Sequence, residues 1–189
     1  MSINPSEWIG RLSSANDVER RDFAALCYLE GKKLGEAAIA AWRKIPEFER
    51  ELSGPPTVGV AVTPERFAAI RAVMDSPPLA DVPADQDAAE FELHLQTRVG
   101  EAWLDILTTR APGSGGAIDK FLSRFGEGIQ QVEFPVTSVD RATAALKSKE
   151  VTPIYPQTRA GANGTRVNFF LAATPDGKKV LVELVESAS

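Results

Sequence analysis

QVEFPVTSVDRATAALKSKE (131–150) reads as a strand that runs into an amphipathic helix, and TVGVAVTPERFAAI (57–70) carries the same hydrophobic spacing 74 residues earlier. Self-similarity at a fixed offset is a strong architectural signal, because two segments that repeat an order of elements need the same partners to bury their apolar faces. The elements around the two copies extend the match. After the first copy, PERFAAIRAVM (64–74) is a helix closed by Pro77 and Pro78. EFELHLQT (90–97) and EAWLDILTT (101–109) are strands joined through Arg98–Gly100. APGSGG (111–116) is a loop and AIDKFLSRF (117–125) a short helix. The second copy opens with the strand 128–136 and the helix 138–150. An extended segment, VTPIYPQTR (151–159), and a glycine-rich turn (159–164) follow. TRVNFFLAAT (165–174) and KKVLVELVE (178–186) are strands that turn at Pro175-Asp176-Gly177.

These elements predict an α+β fold of two tandem βαβββ modules forming a cupped mixed sheet. Module one spans 55–127 and module two 128–189. Two unrelated α+β halves of the same order are the alternative. Residues 1–54 form an N-terminal helical extension. There Asn16 or Asp17 caps a helix, and Phe23, Leu26, Cys27, Leu34, Ala38, Ala41, Trp42 and Ile45 recur near a 3.6 period. Gly31 and Gly35 weaken its middle, so one kinked helix or two shorter ones fit equally. Pro46 opens a last short turn.

Composition narrows the function classes. The chain has 189 residues, 43% hydrophobic and 25% charged, as in ordinary globular domains. Its net charge of −5 and lack of basic runs argue against nucleic acid or an anionic membrane as partner. The single cysteine excludes an intrachain disulfide, and one Cys with one His excludes a Cys/His zinc site. No apolar stretch reaches the ~18 residues of a membrane span, and the N-terminus lacks a signal-peptide core, so a cytoplasmic protein is expected.

WLDIL, SGGAIDKFLSRFGEGIQQVEFPVTSVDRATAALKSKEV and GKKVLVELVE together resemble the methylmalonyl-CoA epimerase branch of the vicinal-oxygen-chelate (glyoxalase/bleomycin resistance/dioxygenase) superfamily. Phe121-Leu122, Gly128-Ile129-Gln130-Gln131-Val132 and Leu181-Val182-Glu183-Leu184 stand where that family has its recurring motifs. The resemblance implies a cup around a divalent metal, with ligands from the first and last strand of each module. Thr57 and Gln131 occupy the first-strand places, where the family has histidine. Asp105 and Glu183 occupy the last-strand places. A further family glutamate falls at Ala80, beside Asp81. A homodimer is also implied by the resemblance.

Strand alternation gives an independent reading of the cup. Turning Val58, Val60 and Val62, Phe91, Leu93 and Leu95, Leu104 and Ile106, Val132, Phe134 and Val136, and Val167, Phe169 and Leu171 toward the helices leaves the opposite side for a cavity. That cavity is expected to hold His94, Asp105, Gln131, Glu133, Arg166 and Glu183. Asp105, Gln131, Glu183 and His94 are the candidate metal ligands; the oxygen ligands alone suit magnesium, calcium or manganese, and an imidazole among them suits zinc, cobalt or nickel. The opposing expectation is a cup with no metal, in which His94 is a hydrogen-bonded sheet residue.

Two functions follow. In one, the chain is an epimerase or lyase. Glu183, with Glu133 second, takes a proton alpha to a carbonyl of a small acyl or acyl-thioester substrate, and Arg166 or a metal holds the enolate. In the other, it is a non-catalytic small-molecule-binding or resistance-type module. Trp103, Asn168, Phe170 and Thr57 then line the ligand, the aromatic pair as stacking walls. The glycine-rich turn at 161–164 is no phosphate loop, since it lacks the Lys-Ser/Thr ending and opens no helix.

Overall fold

The computed structural model describes residues 5–188. The expectation of helix over residues 1–4 lies outside the described residues. The extension is less uniform than its sequence predicts. It comprises α1 (Pro5–Arg11), α2 (Asp17–Ile39), a 3-10 turn (Trp42–Lys44) and α3 (Pro46–Glu49). Asn16 is the cap of α2, its Oδ1 accepting from the Val18 and Glu19 amides at 3.0 and 3.3 Å. Helix α2 runs unbroken through Gly31 and Gly35. Among the described residues no helix is long and apolar enough to cross a membrane.

The remaining elements are β1 (Thr57–Ala61), α4 (Pro64–Val73), β2 (Ala89–Thr97), β3 (Gly100–Thr108), α5 (Ala117–Phe125), β4 (Gly128–Pro135), α6 (Val139–Lys147), β5 (Arg159–Ala160), β6 (Arg166–Ala173) and β7 (Lys179–Glu186). Each module switches from strand to helix at a hydroxyl cap. Thr63 accepts from the Arg66 amide before α4, and Ser138 from the Arg141 amide before α6.

The chain divides into two compact units, residues up to Gly31 with Val58–Gln130, and Lys32–Thr57 with Gln131 onward. Residues of the extension fall in both units, and the division lies within α2.

In the first unit β3 lies between β2, antiparallel, and β1, parallel, with Gly59 opposite Asp105 and Glu92 opposite Asp105 from the other side. Its core joins Val58, Val60, Phe91, Leu93, Leu104 and Ile106 to Ile9, Leu12, Ala24, Cys27, Tyr28, Phe67 and Ile70. Cys27 is buried, which pushes its thiol up to about 12. Gly31 lets α2 approach closely, since a Cβ there would stand 2.7 Å from Val58 Cγ2. The other face of the sheet carries a smaller cluster of Ala61, Leu107 and Ile118, with Phe121 and Leu122 of α5 against it. This unit has three strands where the repeat predicts four. Pro77, Pro78 and Pro83 remove donors from 75–88, and one bond, from the Ala80 amide to the Glu90 carbonyl at 2.9 Å, is made there to β2.

In the second unit the strand order is β4-β7-β6-β5, with β4 and β7 parallel and the other pairs antiparallel. Helix α6 packs on β6 and β7, and α3 on α6. The Trp42 ring meets Phe48 and Phe170 edge-on at 6.0 and 5.5 Å. Glu51 ties the end of the extension to α6. It accepts from Arg141 Nε at 2.7 Å and Nη2 at 3.0 Å and from the Thr137 hydroxyl, and the Arg141 bonds hold its carboxyl below the usual range.

Candidate functional site

The second unit places a carboxylate pair on one sheet face. Glu133 of β4 stands directly opposite Glu183 of β7, and neighbours in register share a face. Like charges so placed repel. The Gln131 amide offsets this. Its Nε2 donates to Glu183 Oε2 at 2.6 Å and to Glu133 Oε1 at 3.1 Å, so both of its hydrogens go to carboxylates. Gln131 and Glu183 are each 8% exposed.

The same face carries Val167, Phe169 and Leu171 of β6, because Phe169 lies opposite Glu183 and Leu171 opposite Leu181. This corrects the reading of β6. Asn168 and Phe170 point the other way and are fully buried among the helices, Phe170 against Trp42. Arg166 also faces that way. It pairs with Asp140 of α6 at 2.7 Å and Glu186 at 3.5 Å, and the bond to Asp140 raises its pKa. The expected roles of Arg166, Asn168 and Phe170 in the cup therefore lack the geometry they need. The aromatic surface near Glu183 is Phe169, with the Tyr155 ring edge-on at 6.0 Å and the Arg159 guanidinium over Tyr155 at 4.6 Å. Phe169 was readable only as the neighbour of Phe170.

In the first unit the expected face holds. Asp105 is 5% exposed, and Glu92, His94 and Trp103 share its side of the sheet. The His94 ring stacks on Trp103 at 3.7 Å and 20°, with Nε2 3.4 Å from Glu101. Glu90, a residue the sequence reading passed over, joins this face beside Leu107. Burial, then the Glu92 charge, raises its pKa to about 7, while Arg110 acts the other way. The signal for it was present in the alternation of EFELHLQT, where Glu90 has the parity of Glu92. Thr57 is half-buried at the start of β1.

These residues do not fit a metal centre as arranged. Among the described residues no three His, Cys, Asp or Glu side chains are grouped to hold an ion. Gln131 turns N–H hydrogens, not its carbonyl oxygen, toward Glu183 and Glu133, and a cation needs lone pairs there. The ring of His94 is committed to Trp103.

No protein-family model and no curated protein matches the chain. Solved structures do. The two units have the βαβ-type order and strand pairing of the vicinal-oxygen-chelate fold, and the chain is a mixed α+β protein of that fold. Its structural neighbours include methylmalonyl-CoA epimerases. A variant of the Streptomyces coelicolor enzyme in complex with 2-nitronate-propionyl-CoA is 26% identical, with a TM-score of 0.55 over 74% of this chain and 98% of that one. A methylmalonyl-CoA epimerase in complex with methylmalonyl-CoA and NH4+ gives 26%, 0.55, 74% and 96%. The enzyme from Mycobacterium tuberculosis gives 29%, 0.54, 74% and 89%.

Proposed function

We propose that the chain is an epimerase- or lyase-type enzyme that removes a proton alpha to the carbonyl of a small acyl thioester. The observation that carries this reading is the Glu183–Gln131–Glu133 arrangement, a buried carboxylate aimed from a sheet face and held by an amide. Glu183 is the base. As it takes the proton its hold on the Gln131 amide weakens, and that N–H becomes available to the enolate oxygen, the group where charge develops. Return of the proton by Glu183 gives exchange with retention, and inversion needs a donor on the opposite face of the enolate. Glu133, on the same sheet face as Glu183, is the second candidate for the base and not that donor. The thioester part of the proposal is supported by the acyl-CoA ligands of the neighbouring structures.

The test is deuterium incorporation at the alpha carbon of methylmalonyl-CoA in D2O, with and without magnesium, manganese or cobalt. Exchange without added metal is expected. Absence of exchange under every condition removes the substrate. Exchange that needs a metal removes the metal-free mechanism.

A binding module is the second reading, favoured by Thr57 and Gln131 at both first-strand positions and by the Phe169–Tyr155–Arg159 surface. An acyl-CoA that binds with no exchange at its alpha carbon selects it.

A further inference from the structure

The sheet face that carries Glu183 continues past it as an apolar strip. Phe169 lies opposite Glu183, and Leu171 lies opposite Leu181, which is two residues before Glu183 on β7 and so on the same face. Beyond β6, Pro153 bridges to Phe170 and shares its core side. The next residue, Ile154, donates its amide to the Phe169 carbonyl at 2.7 Å, and alternation turns its side chain to the Glu183 side. Leu171 and Ile154 are 58% and 48% exposed. Among the described residues they are the two exposed large apolar side chains of the second unit, and both flank Phe169 on this one face. They are diagonal neighbours across β6, within reach of each other. Single exposed apolar side chains are ordinary, whereas a contiguous strip beside polar groups marks a place for a ligand.

We propose that this strip holds the hydrocarbon chain of the acyl group, so that the substrate is the thioester of an acid of about six to eight carbons. The inference rests on Glu183 as the base only for where the chain begins, at the alpha carbon. A strand spacing of about 4.8 Å and a two-residue rise of about 6.7 Å put the Leu171 Cα about 8 Å from that of Glu183. At roughly 1.2 Å per bond of an extended chain, about six to seven bonds cover that span. The direction is set by polarity. On the β4 side of Glu183 stand Gln131 and Glu133, against which methylenes would gain nothing. On the β6 side Phe169, Leu171, Leu181 and Ile154 remove them from water.

The experiment measures binding, and alpha-deuterium exchange in D2O, for propionyl-, butyryl-, hexanoyl- and octanoyl-CoA with the full chain. Complete burial of a methylene is worth about fourfold in affinity, and half-burial on an open face about twofold. Hexanoyl-CoA is therefore expected to bind at least about eightfold tighter than propionyl-CoA. Leu171→Asn and Ile154→Asn each change an exposed position, and circular dichroism establishes that the variants are folded. Together they should bring the hexanoyl-to-propionyl ratio to within about twofold of unity. Affinity indifferent to chain length, or a ratio indifferent to the double variant, overturns the strip whether or not exchange occurs. Equal weakening of propionyl-CoA and hexanoyl-CoA by Leu171→Asn also overturns it, because the strip then holds the coenzyme A arm. Chain-length-dependent binding that the variants abolish, with no exchange at any length, upholds the strip and removes proton abstraction by Glu183 instead. Failure to bind any of the four overturns both.

Discussion

Gln131 holds Glu183 through an amide hydrogen bond of 2.6 Å between strands β4 and β7, and its second hydrogen reaches Glu133 at 3.1 Å. One neutral side chain thus stands between two carboxylates that face each other across a parallel strand pair. That relationship does two jobs, lowering the repulsion of the pair and fixing the direction in which Glu183 points.

Glu183→Gln keeps the shape and removes the base. Alpha-proton exchange should fall at least about 10²-fold, the lower end of what a positioned general base contributes. Urea unfolding should show stability unchanged or slightly raised, since one of two facing charges is gone. Exchange at the wild-type rate in this variant removes Glu183 from the mechanism.

Gln131→Leu leaves Glu133 and Glu183 opposite each other with no donor between them. A loss of about 1–3 kcal/mol is expected at neutral pH from the lost hydrogen bonds to charged groups. Equilibrium urea unfolding measures it. Stability equal to wild type would mean the amide is not what holds the pair.

Glu90 makes stability depend on pH. Its pKa rises from 4.5 to about 7 on folding, first through burial and then through Glu92. Between those values the folded chain keeps a proton that the unfolded chain has lost. The group's contribution is therefore full below about pH 4.5, declines as pH rises toward 7, and is lost above it. The decline is on the order of 3 kcal/mol. Glu90→Gln should flatten that part of the profile and be the more stable protein at pH 8. Identical slopes for wild type and variant between pH 5 and 7 would contradict it.

Gly35→Ala is expected to destabilise. Helix propensity alone favours alanine by roughly 0.8–1.0 kcal/mol. The added methyl, however, would sit 2.5 Å from Val132 Cγ1 and 2.9 Å from its Cβ. Overpacking of that kind costs about 1–3 kcal/mol, which outweighs the propensity gain. A higher melting temperature for the variant would show that α2 can move off β4.

Much of this was legible in the residues. The repeated strand-to-helix pattern, the Thr63 and Ser138 caps, and the sides of β1, β3 and β4 follow from local rules. In TVGVA, WLDIL and QVEF the polar or small residues alternate with apolar ones, so the apolar side is unambiguous. The pairing of Gln131, Glu133 and Glu183 on one face was readable in the same way. Alternation has a phase only when one side is polar, and RVNFFLAA offers apolar residues to both. Trp42, more than a hundred residues away in sequence, decided that Phe170 is core and Phe169 is surface, because its ring fills the space beside Phe170. Asp140 likewise claimed Arg166. The glycines of α2 looked like weaknesses of a helix because their use, close approach to Val58 and Val132, involves residues far along the chain. The sequence by itself determined the modules and the carboxylates of the site. Only the tertiary structure decided which aromatic ring stands beside Glu183 and which arginine is already spent, since both depend on packing between segments that no local period connects.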